Sequence, residues 1–458
     1  MHDLTQGSIS KHILRLAAPM AAGMVFQTLY YFVDLYFVAK LGEASIAGVS
    51  AAGNLQFIVM ALTQILGVGT MVLISHAAGR KDRVDANLVF NQSLVFAAFC
   101  AVLTLAAGYA FSGAYMNAIG ASAATSAAGA SYLRWYLPAL ALQFAMITLG
   151  SALRGTGIAK PMMIVQVFTV LLNALLAPVL IAGWVTHKPM GTAGAGLASS
   201  IAVGVGVVML WTYFLRLEKF VSIDTSLMRA QFATWLRILK IGLPAGGEFA
   251  LMFVMMATTY FIIRDFGASA QAGYGLGSRI MQGIFLPAMA VAFAAAPIAG
   301  QNVGAGLADR TRETFRSAAM IGSVAMFATT LLCQWRADWL LQVFTSDAAV
   351  ISVGTQFLHV ISWNFVAQGI IFTCSGMFQA LGNTVPSMIS SATRVVTFAL
   401  PAIWLSHRAG FELKQMWVLS VITVTGQTVI SLLLLRRELN RKLNGVTARV
   451  LAPEVVPA

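Results

Sequence analysis

Charge is what this chain has least of. Only 10% of its 458 residues are Asp, Glu, Lys or Arg, against about 25% in ordinary soluble domains, which excludes a water-facing surface of the usual kind. Acidic residues number just 16. The three cysteines, Cys100, Cys333 and Cys374, lie in separate apolar runs with no CxxC spacing, so neither a disulfide framework nor a metal site is indicated. Catalytic signatures are missing too: there is no HExxH or GxSxG, and no carboxylates are paired at acid/base spacing within the apolar runs. That argues against an enzyme. The glycine-rich GVGTMVL, GVGV and GYGLGS are not phosphate loops, because no GK[ST] follows and small residues in apolar helices serve close packing.

What the chain has in abundance is hydrocarbon. Hydrophobic residues make up 59% of it and the mean hydropathy is +0.80. Twelve apolar runs can be read along it, each near the roughly 20 residues that span about 30 Å of bilayer as a helix. Short polar breaks such as GRKDRVD (79–85), WVTHKPMG (184–191) and SHRAGFE (406–412) separate them. The N-terminal MHDLTQGSISKHILRLAAP has no cleavable signal pattern, since its apolar run continues to membrane length.

The net charge of +13 is distributed topologically. Of the 29 Lys and Arg, twenty fall on one set of alternate loops and termini, seven on the other, and Arg279 and Arg394 lie inside runs. That asymmetry predicts both termini in the cytoplasm and speaks against nucleic acid as a partner.

The chain also repeats itself. LRLAAPM (14–20) matches LKIGLPA (239–245), ISHAAGR (74–80) matches IAGQNVGA (298–305), and GSALRGTGIAKPMMI (150–164) matches SGMFQALGNTVPSMI (375–389). One constant offset aligns Pro19 with Pro244, Gly79 with Gly304 and Gly157 with Gly382. Six spans per copy return the chain to the same side. The expected fold is therefore an all-α integral membrane protein of twelve transmembrane helices, in two six-helix bundles related by a pseudo-two-fold along the membrane normal. The boundaries expected are 1–215 and 238–440 for the bundles, 216–237 for a cytoplasmic linker and 441–458 for a cytoplasmic tail.

Two carboxylates break the apolar pattern. Asp34 in QTLYYFVDLYFVAK and Glu248 sit well inside spans, where an ionisable group is costly and points to function. Their repeat positions hold Thr259 and Gly23, so the halves carry different carboxylates. Gln27, Tyr30 and Tyr31 share a helical face with Asp34, as a cavity wall would. The alternative is that each carboxylate only bonds a neighbouring helix.

These features together, with GRKDR and GQNVGAG after spans 2 and 8, LRGTGIAKP after span 4 and LNALLAPVLIAGW followed by GTAGAGLAS, resemble the multidrug and toxic compound extrusion (MATE) family across nearly the whole chain. The resemblance implies a secondary antiporter that exports cationic or amphipathic drugs and metabolites in exchange for protons or sodium, by alternating access. It implies a bacterial inner-membrane location, no cofactor, small organic substrates, contact with lipid and a monomer. Asp34 then takes the place of the family's ion-binding aspartate, with Asn173 as its partner and Glu248 as a second ion-coupling candidate. Ala177 and Gln368 stand where the proton-coupled and sodium-coupled branches carry a further aspartate, and Glu248 is one turn nearer its proline than the sodium-branch glutamate. A sodium cage wants several oxygen ligands, so protons are favoured and sodium remains the alternative. Gln27, Tyr30, Tyr31, Gln143, Tyr274, Gln282 and Gln368 are the substrate-contact candidates. Trp363 offers a further aromatic face, some of the 22 methionines would suit a promiscuous cleft, and His359 is a weaker relay candidate. Arg279 and Arg394 are expected to bond carbonyls or snorkel, with substrate binding as the alternative, and Arg154 and Gln379 to be structural. The competing function is a flippase for a lipid-linked or amphipathic polar substrate, which would want several cations in its cleft.

Overall fold

In hydrocarbon every backbone N–H and C=O must be satisfied within the chain, which leaves helices as the spanning element for runs of this length. The computed structural model describes residues 2–120, 122–184, 187–218 and 220–451, with segments 30–35 and 444–451 described by their backbone alone. Its first half contains α1 (Ile9–Ala39), α2 (Glu43–Gly79), α3 (Arg83–Ile119), α4 (Ala123–Gly155), α5 (Lys160–Ile181) and α6 (Thr192–Arg216). The second contains α7 (Phe232–Ile263), α8 (Ala268–Gly304), α9 (Ala308–Gln342), α10 (Ala348–Ile361), α11 (Phe365–Ala380), α12 (Val385–Ser406) and α13 (Leu413–Leu451). A short 3-10 turn, Ser362–Asn364, joins α10 to α11 as one span. Among the described residues, eleven helices are long and apolar enough to cross a membrane. The 31-residue α1 is the remaining run expected from the sequence.

The repeat is visible in the element boundaries. Helices α2, α3 and α5 begin at 43, 83 and 160, and α8, α9 and α12 at 268, 308 and 385. Helix α4 spans 123–155, and α10 with α11 spans 348–380. The turns repeat as well: Gly42 and Gly267 have φ of 101° and 89°, and Gly157 and Gly382 have φ of 80° and 69°.

The helices form two compact units, Met1–Asp3 with Ala22–Gly242 and Leu4–Ala21 with Leu243–Ala458. In the first, α4 is the centre and packs most extensively on α2, α6 and α3. In the second, α8 packs on α9, α10 and α11, and α13 on α12 and α11. Large apolar side chains such as Val102, Phe111, Leu175, Trp335 and Ile422 face outward. The interior is rich in small and polar residues, including Thr70, Ser75, Thr148 and Ser199. With lipid outside as apolar as leucine, packing of small residues drives association. A Cβ on Gly48 would meet the Thr125 carbonyl oxygen at 2.6 Å, and one on its repeat equivalent Gly273 the Val350 carbonyl oxygen at 2.9 Å. In both copies a glycine therefore lets two backbones touch.

The segment between the halves is held by α3. Asn87 and Asn91 exchange hydrogen bonds with Ser222 and Asp224, and Gln92 donates to the Leu227 and Arg229 carbonyls and accepts from the Gln231 N–H. Asp85 adds a two-pronged pair with Arg237 at 2.9 and 3.1 Å. Asp224 accepts from the Ser226 hydroxyl and N–H, which holds its carboxyl below the usual carboxylate range.

Overpacking a close backbone contact costs about 1–3 kcal/mol. Gly48→Ala and Gly273→Ala should each lower stability by that order in thermal unfolding of the detergent-solubilised protein. Gly426→Ala, whose Cβ would meet nothing within 4 Å, should be neutral or slightly stabilising.

Candidate functional site

In the first unit a cavity of about 140 Å³ opens among α1, α2, α4, α5 and α6. Its polar lining is uncharged: Gln27, Ser50, Gln56, Gln143, Gln166, Thr169, Tyr132 and Tyr136. Tyr132 and Tyr136 are stacked with ring centroids 4.8 Å apart, and Met146, Ile147 and Met162 complete the wall. Carboxamides both donate and accept, so this surface can hydrogen-bond many polar groups while its tyrosine rings and methionines take up apolar bodies. Gln27 and Gln143, expected from the sequence, are here together. Gln56, Gln166, Tyr132 and Tyr136 had not been singled out. The signal for the last two was their spacing of four within α4, which places both rings on one face.

Tyr30, Tyr31 and Asp34 have side chains outside the described residues. Asn173 is buried on α5, where its amide nitrogen donates to the Ser199 hydroxyl at 3.4 Å. Its Oδ1 is buried with no partner among the described residues. A buried acceptor with no donor is expensive, and it suits a group that arrives carrying a proton.

The second unit holds the other carboxylate differently. Glu248 on α7 accepts hydrogen bonds from Ser387 at 2.8 Å, Ser375 at 3.0 Å and Ser391 at 3.4 Å. Gln427 on α13 in turn donates to Ser391 at 3.4 Å. The repeat explains how this pocket arose. The equivalents of Glu248, Ser375, Ser387 and Ser391 in the first copy are Gly23, Gly150, Met162 and Gln166. There, Gln166 fills the place of a Cβ on Gly23, and the Met162 sulfur lies 3.0 Å from a Cβ on Gly150. Long side chains on α5 meet glycines in one copy, whereas serines meet a glutamate in the other. A mid-membrane carboxylate costs about 3 kcal/mol even on the lenient insertion scale, and three hydroxyl donors offset it. The serines could have been found by asking which repeat positions change together with Gly23.

The remaining candidates differ in their surroundings. Tyr274 is buried in an aromatic cluster, stacked on Trp417 at 5.5 Å and edge-on to Phe357 and Tyr260. Gln368 accepts from Arg394 Nη1 at 3.3 Å. Gln282 and Arg279 are exposed on α8, and Trp363 is exposed beside α11. His359 uses its backbone carbonyl to hold Gln334 and Ser362. Arg154 donates to Ser151 at 2.8 Å. Arg394 finds a carbonyl, the side-chain carbonyl of Gln368, and its Nε is buried with no partner among the described residues.

A duplicated bundle of membrane-spanning helices, with a polar uncharged cavity and isolated intramembrane carboxylates, is the construction of a transporter rather than an enzyme. The chain belongs to the MatE family, whose pattern matches residues 19–179 and again 244–405. The two matches start one repeat length apart, as Pro19 and Pro244 do. It is similar to the probable multidrug resistance protein YoeA of Bacillus subtilis, 22% identical over 90% of each chain. It is also similar to the multidrug export protein MepA of Staphylococcus saprophyticus, 25% identical over 84% of each. Two solved structures share the fold with TM-scores of 0.88, each covering 96% of this chain and 98% of the other. One is a MOP superfamily transporter from Pyrococcus furiosus, at 23% identity. The other is an outward-facing multidrug resistance MATE family transporter, at 24%.

Breaking one hydroxyl bond to a buried carboxylate costs about 1–3 kcal/mol. Ser387→Ala should be destabilising by that order, and Glu248→Gln by less than about 1 kcal/mol. A double-mutant cycle combining Ser387→Ala with Glu248→Leu should be non-additive, by about 0.5–3 kcal/mol. Additive losses would separate the two residues energetically.

Proposed function

We propose that this protein exports amphipathic drugs and metabolites from bacteria across the inner membrane, as a monomer with both termini cytoplasmic, by exchange for protons through alternating access. The observation that carries the reading is the first-unit cavity: an uncharged, glutamine-rich and tyrosine-lined space to which Gln27 of α1 contributes. The names of the curated relatives, a multidrug resistance protein and a multidrug export protein, agree with it.

Protons are favoured over sodium by the carboxylates the sequence lacks. Sodium wants several oxygen ligands, and the positions where the branches this chain resembles carry a further aspartate hold Ala177 and Gln368. A proton needs one acceptor. Asn173, with its unpartnered Oδ1, can accept from a protonated Asp34 and so favour the neutral form in one conformation. Coupling then follows if proton and substrate prefer different states, since a ligand with equal affinity for both shifts nothing.

The test is efflux from proteoliposomes with the pH gradient and the sodium gradient imposed separately. The pH gradient alone should drive export, and a sodium requirement would overturn proton coupling. Asp34→Asn, near-isosteric but unable to ionise, should abolish pH-driven export while the protein still folds and inserts. Glu248→Gln should have the milder effect; the reverse order would exchange their roles.

A further inference from the structure

Arg394 lies midway along the 22-residue α12, at a depth where a cation normally faces an acid, a carbonyl or water. Its only hydrogen-bond partner among the described residues is the Gln368 carboxamide, 3.3 Å from Nη1. Its Nε is buried without a partner. No carboxylate forms an ion pair with it among the described residues. Glu248, the acid on the facing side of α12, is already taken by three serine hydroxyls. Within electrostatic reach of the guanidinium is the Tyr274 hydroxyl. It adjoins Ser278 and Thr259.

The repeat shows what this place is. Val49, Gly53, Gln143 and Thr169 all line the first-unit cavity, and their equivalents one repeat later are Tyr274, Ser278, Gln368 and Arg394. The same architectural position is thus neutral in one copy and carries a full positive charge with unused donors in the other. An organic cation would be repelled here. A planar anion fits, because a guanidinium presents parallel N–H donors matched to two oxygens. Beside it, Tyr274 packs edge-on against Tyr260, whose ring is exposed and offers an aromatic face. We propose that Arg394, Gln368 and Tyr274 form a subsite for a single anionic group, a carboxylate carried on a flat apolar body. The substrate range of the transporter then includes amphipathic acids and zwitterions.

This deepens the export reading and rests on it for the word substrate, so the test reads binding on purified protein with no gradient. The probes are dansylglycine, its methyl ester and dansylcadaverine, followed by the fluorescence rise of the dansyl group. The wild-type protein should bind dansylglycine at least tenfold more tightly than the ester or the amine. Arg394→Gln should remove that preference while leaving ester binding unchanged, and Arg394→Lys, which keeps the charge but loses the fork, should retain part of it. Gln368→Glu places a carboxylate against Arg394 from within; it should abolish dansylglycine selectivity and raise the melting temperature. A wild-type protein without the preference, or an Arg394→Gln variant that keeps it, overturns the proposal. A lipid phosphate presents the same chemistry. Dansylglycine binding that phosphatidylglycerol in nanodiscs suppresses, and phosphatidylcholine does not, would overturn the small-molecule assignment in favour of a headgroup. A protein that binds dansylglycine selectively but exports nothing from proteoliposomes leaves the subsite standing and sinks the export reading instead.

Discussion

A bilayer offers no hydrogen bonds to whatever it dissolves, and that requirement organises this molecule from backbone to site. It forces the spans into helices, and it removes the hydrophobic drive that would hold helices together in water. What remains is close contact, supplied by glycines such as Gly48 and Gly273 that let backbones meet. It also sets a high cost on each polar side chain kept inside. Those that remain are bonded in groups, as with Glu248 and its serines, or have unmet hydrogen-bonding capacity, as with Asn173 and Arg394.

Duplication gave the chain two versions of the same scaffold to alter separately. Helix boundaries and turn conformations have stayed in register, because they are fixed by packing that both copies share. The interior has diverged. The first copy keeps long neutral side chains around a cavity, with Gln166 against Gly23. In the second, an acid surrounded by hydroxyls and an unpaired guanidinium occupy the corresponding positions. Such exchanges are compensated locally: where a glycine became Glu248, Met162 and Gln166 were matched by the smaller Ser387 and Ser391. A transporter that handles varied compounds benefits from this, since two chemically unlike surfaces can be built without changing the helices that carry them.

The linker illustrates the same economy at the membrane edge. Asn87, Asn91 and Gln92 use side-chain amides to satisfy a stretch of backbone that has little regular structure of its own. Their counterparts in the second copy are Arg312, Arg316 and Ser317. That copy instead binds the N-terminal segment, through Gln301 and Asn302 to Leu4 and through Arg310 to Gly7. In each copy the segment that precedes a first helix is anchored by polar side chains, from α3 in the first and from α8 and α9 in the second.

The sequence by itself determined the class, the helices and the repeat. Hydrophobic run length, scarce charge and a constant offset are one-dimensional properties, and the bilayer translates them directly into spans. It also marked Asp34 and Glu248, because charged groups are conspicuous against hydrocarbon, and the family resemblance added Asn173. Which residues meet was decided only by the tertiary structure. Ser375, Ser387 and Ser391 are ordinary small residues in the sequence; they acquire meaning when α11 and α12 bring them to one carboxylate. Gln282 and Tyr274 read as equivalent candidates along the chain, yet one faces outward and the other is stacked in a core. Arg394 was expected to find a carbonyl or reach the interface; only the structure shows that the carbonyl is that of Gln368 and that a donor is left without a partner among the described residues. Helical periodicity assigns a residue to a face, but the face's neighbour is set by helix packing, and hydrogen bonding depends on that neighbour.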